Sequence, residues 1–512
     1  MQILLRPAVL SFCLLAMLAP SAFAADNAEL ERIKRAIAEA IEPGSDPTAM
    51  KIVLAEPLSA AWRDDRAVVT LKGAKVVDSD GTLNVGDVEI AVLPHDDGLY
   101  DFDVTMPKSF DITGPDGAPE GKLTVAKYKL AGTWSREVAS LVKLDATLQN
   151  LHVKGSKNGV EELDASLGAF DAHMIYTKNT SGLWDGTAKA HVSDLKILAD
   201  KSEDIKIAAI DIESSTKGSD WAAWQRVMEK MEALSAPNAA PPDEGERMAL
   251  KLALRNINWG ANDGSLRIKG ISAASGGKPI FVLGETVLRG TIDGSKESGT
   301  LSFGLGVDAL SIEKNTLPSN LAPTKAKLDI ALEKFPVQAF FGSMFEQVID
   351  NMLSPPAAGG EEPDMAADNP SEPPPPEAQE PPMVGPFPAD DLFLQQLFAL
   401  GTVFALNEFS IDAPGTGMKA SGRLNVDPES MTMGTGKIKA TLRGIDALLA
   451  YANAEARTDD EMKDMAAFMI FLKGLGKPEG SGADMAYVYD IDIPKAGPPT
   501  VNGTPLDGMM GQ

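Results

Sequence analysis

Residues 50–215 consist largely of short runs in which apolar and polar residues alternate, and this pattern restricts the fold more than any other feature of the chain. Alternation with a period of two places one set of side chains on each face of a β-strand. Dipeptides that tolerate the positive φ of tight hairpins separate the runs: Asp80-Gly81, Asp97-Gly98, Asp116-Gly117, Asn158-Gly159 and Asp185-Gly186. The sequence therefore predicts an antiparallel meander with one apolar face and one polar, solvated face.

The rest of the chain combines further strands with amphipathic helices. Strands are predicted from about 248 to 333, with Asp263-Gly264 and Asp293-Gly294 as turns, and again at "EFSIDA" and "GMKASGRLNV". Helical spacing of apolar residues predicts helices near 27–42, 219–235, 337–353, from about 389, and 458–473, where Thr458 and Glu461 form a capping-box pattern. The predicted fold class is mainly β (α+β): a long antiparallel, meander-like sheet with several amphipathic helices packed on it.

Five segments share a frame in which apolar residues occupy the first, fourth and sixth positions. They are "LQNLHV" (148–153), "VSDLKI" (192–197), "LRNINW" (254–259), "VDALSI" (307–312) and "LNEFSI" (406–411). Their irregular intervals exclude a solenoid of fixed period. Two interpretations stay open: similar strands resemble one another, or a long sheet is assembled from related β units. Each segment is expected at or near the start of a strand.

An acidic, proline-rich segment, residues 354–388, interrupts the chain between two apolar helices. It contains seven acidic residues up to Pro388 and no lysine or arginine. Such a segment buries too little apolar area to offset its ordering entropy, so it is predicted to be a disordered loop. Because the flanking helices both need a partner for their apolar faces, residues 25–353 and a C-terminal α+β part, residues 389–512, are predicted to share one core.

The N-terminus has the pattern of a secretory signal peptide. Arg6 precedes an apolar run from Val9 to Ala19, and Ala22 and Ala24 supply the small residues before a cleavage site. We expect residues 1–24 to be removed between Ala24 and Ala25 and the protein to be periplasmic. Cys13, the only cysteine, lies inside this signal, so the mature chain would contain no disulfide, catalytic thiolate or Cys-ligated zinc.

The formal net charge of −26 restricts the partners. Phosphate backbones repel such a chain unless a basic patch intervenes, so nucleic acid is not an expected partner. Beyond the signal, no stretch approaches about 18 uninterrupted apolar residues, so no transmembrane segment is expected in the mature chain.

No motif in the sequence predicts a catalytic residue, a metal site or a cofactor. The four histidines, His95, His152, His173 and His191, are scattered. S-x-x-K occurs at Ser140/Lys143, Ser193/Lys196 and Ser311/Lys314. In strands such pairs point to opposite faces, and the S-D-N and K-T-G companions of penicillin-binding proteins are missing. The acidic pairs Asp101/Asp103 and Asp490/Asp492 could hold a cation, but polar faces of acidic proteins commonly carry such pairs.

The C-terminal part resembles a known family. The relevant features are the strand from Gly417 to Leu424, the turn Gly444-Ile445-Asp446-Ala447-Leu448 leading into a helix, and the late Val501-Asn502-Gly503. About the last 110 residues are similar to exported bacterial proteins of the domain-of-unknown-function family 2125. More distantly, the chain resembles β-rich envelope proteins of the AsmA type, for which lipid-related roles are proposed. The resemblance implies a β-rich envelope protein and no defined activity.

The preferred functional hypothesis is a non-catalytic envelope scaffold or binder of an apolar, lipid-like ligand. Apolar ligand contacts are predicted from the helices: Phe340, Phe341, Met344, Met462, Met465 and Met469. Two alternatives stay open. One is a hydrolase whose carboxylates converge only in the fold, and the other is an adaptor that presents the P-x-x-P sequence at Pro373 and Pro376.

Overall fold

The computed structural model describes residues 27–41, 50–157, 160–199, 203–235, 242–295, 298–312, 318–353, 391–430, 432–456, 460–482 and 485–506. The predicted signal peptide with its predicted Ala24/Ala25 cleavage site and the proline-rich segment 354–388 lie outside these ranges. So does Thr458 of the predicted capping box.

All 22 strands found in the described ranges belong to one antiparallel sheet, as the alternation predicts. Those of the N-terminal half are β1 Lys51–Val53, β2 Ser59–Arg63, β3 Arg66–Asp78, β4 Gly81–Pro94, β5 Leu99–Thr105, β6 Ser109–Thr113, β7 Pro119–Ser135, β8 Ser140–Lys157, β9 Val160–Lys178, β10 Trp184–Ala199 and β11 Glu203–Ser219. Those of the C-terminal half are β12 Ala261–Ser275, β13 Lys278–Asp293, β14 Gly299–Ile312, β15 Lys325–Phe335, β16 Val403–Asp412, β17 Gly417–Val426, β18 Gly434–Arg443, β19 Lys477–Glu479, β20 Ala486–Ile493, β21 Thr500–Val501 and β22 Thr504–Pro505.

The pairing order follows the chain. From β7 to β18 each strand pairs with the next one. At the N-terminal edge β3 carries both β1 and β2, and β5 and β6 lie end to end between β4 and β7. At the C-terminal edge β18 pairs with β20, which carries the short strands β19 and β21. Short strands therefore cover both edges of the sheet, which disfavours pairing of these edges with another chain.

Seven helices are present in the described ranges: α1 Asn27–Ile41, α2 Trp221–Ser235, α3 Glu244–Arg255, α4 Val337–Leu353, α5 Asp391–Leu400, α6 Ile445–Glu455 and α7 Asp460–Leu475. The predicted helices near 27–42, 219–235, 337–353, 389 and 458–473 are confirmed within two residues at their described ends. The prediction of strands from about 248 is wrong, because α3 occupies this region. Asp243 and Glu246 form a reciprocal capping box there, and Leu250 and Leu254, four residues apart, are fully buried.

Two of the predicted turn dipeptides lie inside strands. Asp185-Gly186 belongs to β10 and Asp263-Gly264 to β12. The hairpin before β10 is made instead by Asn179 and Gly182, whose φ is 81°. The connection before β12 consists of α2 and α3, so no tight turn is needed at Asp263.

The two faces of the sheet differ in chemistry. Residues paired across neighbouring strands share a face, and one register row consists of Ala190, Ile212, Leu266, Leu288, Leu305, Leu328 and Phe409. This side is the apolar face. The opposite side, the charged face, carries cross-strand ion pairs from β3 to β20: Arg66–Asp103, Lys72–Asp87, Lys129–Asp145, Lys189–Glu213, Arg267–Glu285, Lys325–Asp308, Lys327–Glu408 and Lys437–Asp492.

A row of left-handed residues crosses the sheet from β8 to β14. Asn150, Asp194, Gly270 and Ala309 have φ values of 50°, 52°, 62° and 55° on alternate strands. We call these four residues the kink row. The strands pair in the same register before and after it. Leu148 and Leu151 nevertheless pack on the same core cluster although they are three residues apart, so the kink interrupts the two-residue alternation.

The kink row gives a physical cause for the repeated six-residue frame. Asn150, Asp194 and Ala309 are the third residues of three of the five segments. A fourth segment, 406–411, contains a register shift in β16. The segments lie within strands or at their ends rather than at their starts, and the fifth, 254–259, follows the end of α3.

The kinks also remove one argument against the S-x-x-K motifs. Asp194 separates Ser193 from Lys196, and a register shift near Ser140 separates it from Lys143. Side chains three residues apart are therefore not forced to opposite faces at these places. Lys314 lies outside the described residues, and the exclusion of this chemistry rests on the missing companion motifs.

Candidate apolar binding face

The middle of the apolar face, from β10 to β17, forms a broad apolar surface that we call the open floor. More than one-third exposed on this surface are, among others, Ile212 (47% exposed), Phe303 (39%), Met418 (38%), Leu288 (37%) and Leu305 (36%). A contiguous exposed apolar surface of this kind is typical of an interaction or ligand-binding surface. The alternating pattern that predicted the strands also contains these residues, but it does not distinguish a covered face from an exposed one.

Two glycines, which have no side chain, form a shallow depression at the centre of the floor. Gly264 and Gly290 pair with each other on β12 and β13, next to the exposed Phe303. A Cβ at Gly264 would lie 4.0 Å from its nearest neighbour, the Glu213 carbonyl oxygen, and one at Gly290 would lie 3.9 Å from the Ser302 carbonyl oxygen. The space above both glycines is therefore available to a ligand.

Helices cover the same face at its borders. At the N-terminal side, Leu30, Ile33 and Ile37 of α1 pack on a cluster that includes Phe102 and Trp134. At the C-terminal side, Met469, Leu472 and Leu475 of α7 pack on Tyr487 and Tyr489. A third cover lies at one end of the strands, where Phe340 of α4 and Phe393 of α5 pack on Phe335 and on Ile292, Leu301 and Leu332 of the sheet.

The predicted ligand contacts are not brought together. Phe340, Phe341 and Met344 lie on α4, which follows β15 at the end of the strands where β16 begins. Met462, Met465 and Met469 lie on α7, which follows β18 at the end where β16 finishes. β16 has ten residues, so the two ends of the strands from which these helices start are about 30 Å apart.

Their environments also differ. Phe341 stacks with Phe345 and lies against Trp259, with ring centroids 6.3 and 5.2 Å apart, so it contributes to an aromatic core between α4 and β12. Met469 packs inward, whereas Met465 is 39% exposed. The larger exposed surface, the open floor, lies between these helices and was not among the predicted contacts.

A cavity of about 440 Å³ lies between α3, α4 and α5. It is lined by Arg255, Gln338, Ala339, Ser343, Phe393, Gln396, Ala399 and Leu400. The Arg255 guanidinium binds both carboxylate oxygens of Glu346, with Nη2 2.9 Å from Oε2. The cation is thus already paired within the helical layer.

On the charged face, cations of one strand pair with carboxylates of the next. The Lys129 ammonium lowers the pKa of the Asp145 carboxyl, and a hydrogen bond from His191 lowers that of Asp211. Likewise, Lys327 lowers the pKa of Glu408. The pairs neutralise much of this face and distinguish it chemically from the floor.

The imidazoles of three histidines also lie within hydrogen-bonding distance of aspartate carboxylates. His95 Nε2 is 3.0 Å from Asp101 Oδ2, His152 Nε2 is 2.6 Å from Asp164 Oδ1, and His191 Nδ1 is 2.7 Å from Asp211 Oδ1. All three imidazoles are more than one-third exposed. Among the residues described, no three His, Cys, Asp or Glu side chains are grouped so that they could hold a metal ion.

Comparison with known proteins places the C-terminal part in a family. Residues 350–494 match the family described as "Uncharacterized protein conserved in bacteria (DUF2125)". This part of the chain is similar to the DUF2125 family. The resemblance read from the sequence is thereby confirmed, and the match begins within α4, before the proline-rich segment. No curated protein and no solved structure matches the chain.

The DUF2125 match includes α5, α6, α7 and strands β16 to β20. It therefore contains the C-terminal end of the floor and the helix that covers it, but not β10 to β15. In the described part of the chain, no helix is both long and apolar enough to cross a membrane.

Proposed function

We propose that this protein is an exported, periplasmic, non-catalytic binder of an apolar, lipid-like ligand, which it holds on the open floor. The observation that carries the proposal is the difference between the two sheet faces. The exposed side chains Ile212, Leu288 and Phe303 lie on one face, while ion pairs such as Arg267–Glu285 line the other. Water solvates the second face well and the first one poorly.

The shape of the floor favours an extended ligand. Apolar rows continue from strand to strand, and neighbouring strands are about 4.8 Å apart. The seven strands of the register row Ala190–Phe409 therefore span roughly 30 Å, which is long enough for an acyl chain. Burying each methylene of such a chain contributes about 0.8 kcal/mol.

The first test identifies what the protein retains. Native purification followed by lipid extraction and mass spectrometry should recover acyl-chain material at well above trace stoichiometry. A clean extract, together with no binding of an apolar fluorescent dye, would contradict the proposal.

The second test locates the site with a matched pair of variants. Gly290→Leu fills the floor, whereas Gly306→Leu adds the same side chain to the charged face, where a Cβ would lie 4.0 Å from the Val287 carbonyl oxygen. Because both positions accept a Cβ, both variants should fold. Gly290→Leu should weaken dye binding at least several-fold and Gly306→Leu should leave it unchanged; equal effects would place the site elsewhere.

A further inference from the structure

The outward side of α7 exposes large apolar side chains next to the end of the floor. Ile470 is 58% exposed, Phe468 54% and Phe471 39%. From Ala466 to Leu472 the sequence is AAFMIFL, and the next residue, Lys473, pairs with Asp446 of α6. Residues 466–472 are therefore apolar on every side of the helix.

The inward side of the same helix is already used. Met469 and Leu472 pack on Tyr487 and Tyr489, and the Tyr489 hydroxyl donates a hydrogen bond to the Leu472 carbonyl oxygen over 3.0 Å. At about 100° per residue, Phe468, Phe471 and Ile470 spread over roughly 160° of the opposite side. A helix that is apolar all round is normally buried on all sides.

We propose that the outward side of α7 docks on the surface of a neutral, zwitterionic lipid bilayer. This inference rests on the proposed function, because docking there would place the C-terminal end of the floor beside the lipid that it binds. Tyr487 pairs with Leu442, which pairs in turn with Met418 on the apolar face, so α7 and the floor are continuous.

The composition of the surface favours lipid over protein. Protein interfaces carry about one hydrogen bond per 100–200 Å² of buried area. The exposed arc formed by Ala467, Phe468, Ile470, Phe471 and Gly474 offers no side-chain donor or acceptor. The acyl boundary of a bilayer requires none, and phenylalanine is typical of helices that lie in that boundary.

Length and charge define the mode of docking. Sixteen residues make α7 about 24 Å long, which is shorter than a bilayer core of about 30 Å, so the helix would lie in the interface. The net charge of −26 disfavours an anionic lipid surface. The first five residues of α7 carry three acidic side chains and one lysine: Asp460, Glu461, Lys463 and Asp464.

The test is flotation of the purified, processed chain with phosphatidylcholine/phosphatidylethanolamine vesicles. The Phe468→Ser/Phe471→Ser double variant should lose vesicle binding at least tenfold. The matched control, Met248→Ser/Leu252→Ser, removes two side chains of α3 that are 62% and 58% exposed. It should bind vesicles as the parent does, and circular dichroism should show both variants folded.

Three results would overturn the inference. The first is equal flotation of parent and α7 variant, and the second is equal loss in both variants. The third is a parent that forms a dimer, does not float, and becomes monomeric in the α7 variant, since a second copy would then cover the helix.

Two further comparisons separate the parts of the proposal. If phosphatidylglycerol vesicles bound as tightly as neutral ones, the choice of a neutral surface would be wrong. Dye binding without vesicles should survive the α7 variant and fall in Gly290→Leu. If flotation holds while the dye does not bind, docking stands and the proposed ligand site fails.

Discussion

Asp194 of β10 lies directly against Gly168 of β9, so that a Cβ at Gly168 would come within 2.9 Å of the Asp194 Cβ. Ala309 and Gly284 show the same relationship between β14 and β13, at 2.7 Å. The left-handed residues Asp194 and Ala309 therefore each need a glycine on the neighbouring strand. Gly270 of β12 and Ala208 of β11 are in similarly close contact, but here the glycine is itself the residue with the positive φ.

Replacing Gly284 by valine should destabilise the protein by about 1–3 kcal/mol, because the new side chain overpacks the Ala309 contact. Gly306→Val is the control, since a Cβ there meets nothing closer than 4.0 Å. Urea unfolding followed by circular dichroism measures both. Equal midpoints would show that the kink row tolerates larger residues.

The substitution Ala309→Gly should instead stabilise the protein. Ala309 has a φ of 55°, and the left-handed conformation costs a residue with a Cβ about 1–2 kcal/mol, which glycine does not incur. Part of that gain is offset by the greater flexibility of glycine in the unfolded chain. We expect a net stabilisation of roughly 0.5–1 kcal/mol. Ala190→Gly, within a regular part of β10, should instead destabilise; a loss in both variants would argue against strain at Ala309.

Replacing residues 357–385 with a short Gly/Ser linker should leave one cooperative melting transition, within a few degrees of the parent. The parts of the chain before and after this segment are hydrogen-bonded to each other. Strand β15 pairs with β16, and the Thr402 hydroxyl donates a hydrogen bond to the Lys334 carbonyl oxygen over 3.0 Å. Loop closure adds only about 0.6 kcal/mol per doubling of length. Calorimetry that resolved two transitions, or independent folding of residues 389–512, would instead assign the segment to a boundary between domains.

Stability should fall at acidic pH partly through the charged face. The pKa values of Asp145 and Asp211 are lowered in the folded chain by Lys129 and His191, respectively. Such carboxyls stabilise the fold above their unfolded pKa, near 3.9, and lose this contribution as the pH falls through the folded value.

The Asp145→Asn/Asp211→Asn variant tests this expectation. At pH 7 it should be less stable than the parent by well under about 1 kcal/mol per pair, because both pairs are exposed to solvent. The difference should shrink in 1 M salt and vanish near pH 2. A difference that persists at that pH would show that packing, not charge, is lost.

The regular parts of the fold could be predicted from the sequence because local periodicity determines them. The helix Val337–Leu353 and strands such as β3 carry their apolar residues at the spacing that each element requires. The helix α3 was missed because Met248, Leu250, Leu252 and Leu254 alternate with other residues, which is the spacing of a strand. Only the contact with α2 and α4 makes this helix part of the core.

Other features depend on relationships across strands, which periodicity does not contain. The repeated frame around Asn150 and Ala309 was visible, but its cause, a kink aligned over neighbouring strands, depends on the register. The open floor is another example. Ile212 and the fully buried Val69 come from similar alternating runs, and their difference arises from the helix α1 that covers only the second.

Between β7 and β18 each strand touches only the strands before and after it, so the size of the molecule is modular. Removing a hairpin such as β12–β13 would leave β11 antiparallel to β14 and would bring Ala208 of β11, which now faces Gly270, to the side of Ala309 in the kink row. The number of hairpins thus determines the length of the floor. A gene that gained or lost one hairpin would change the length of the floor by about 10 Å.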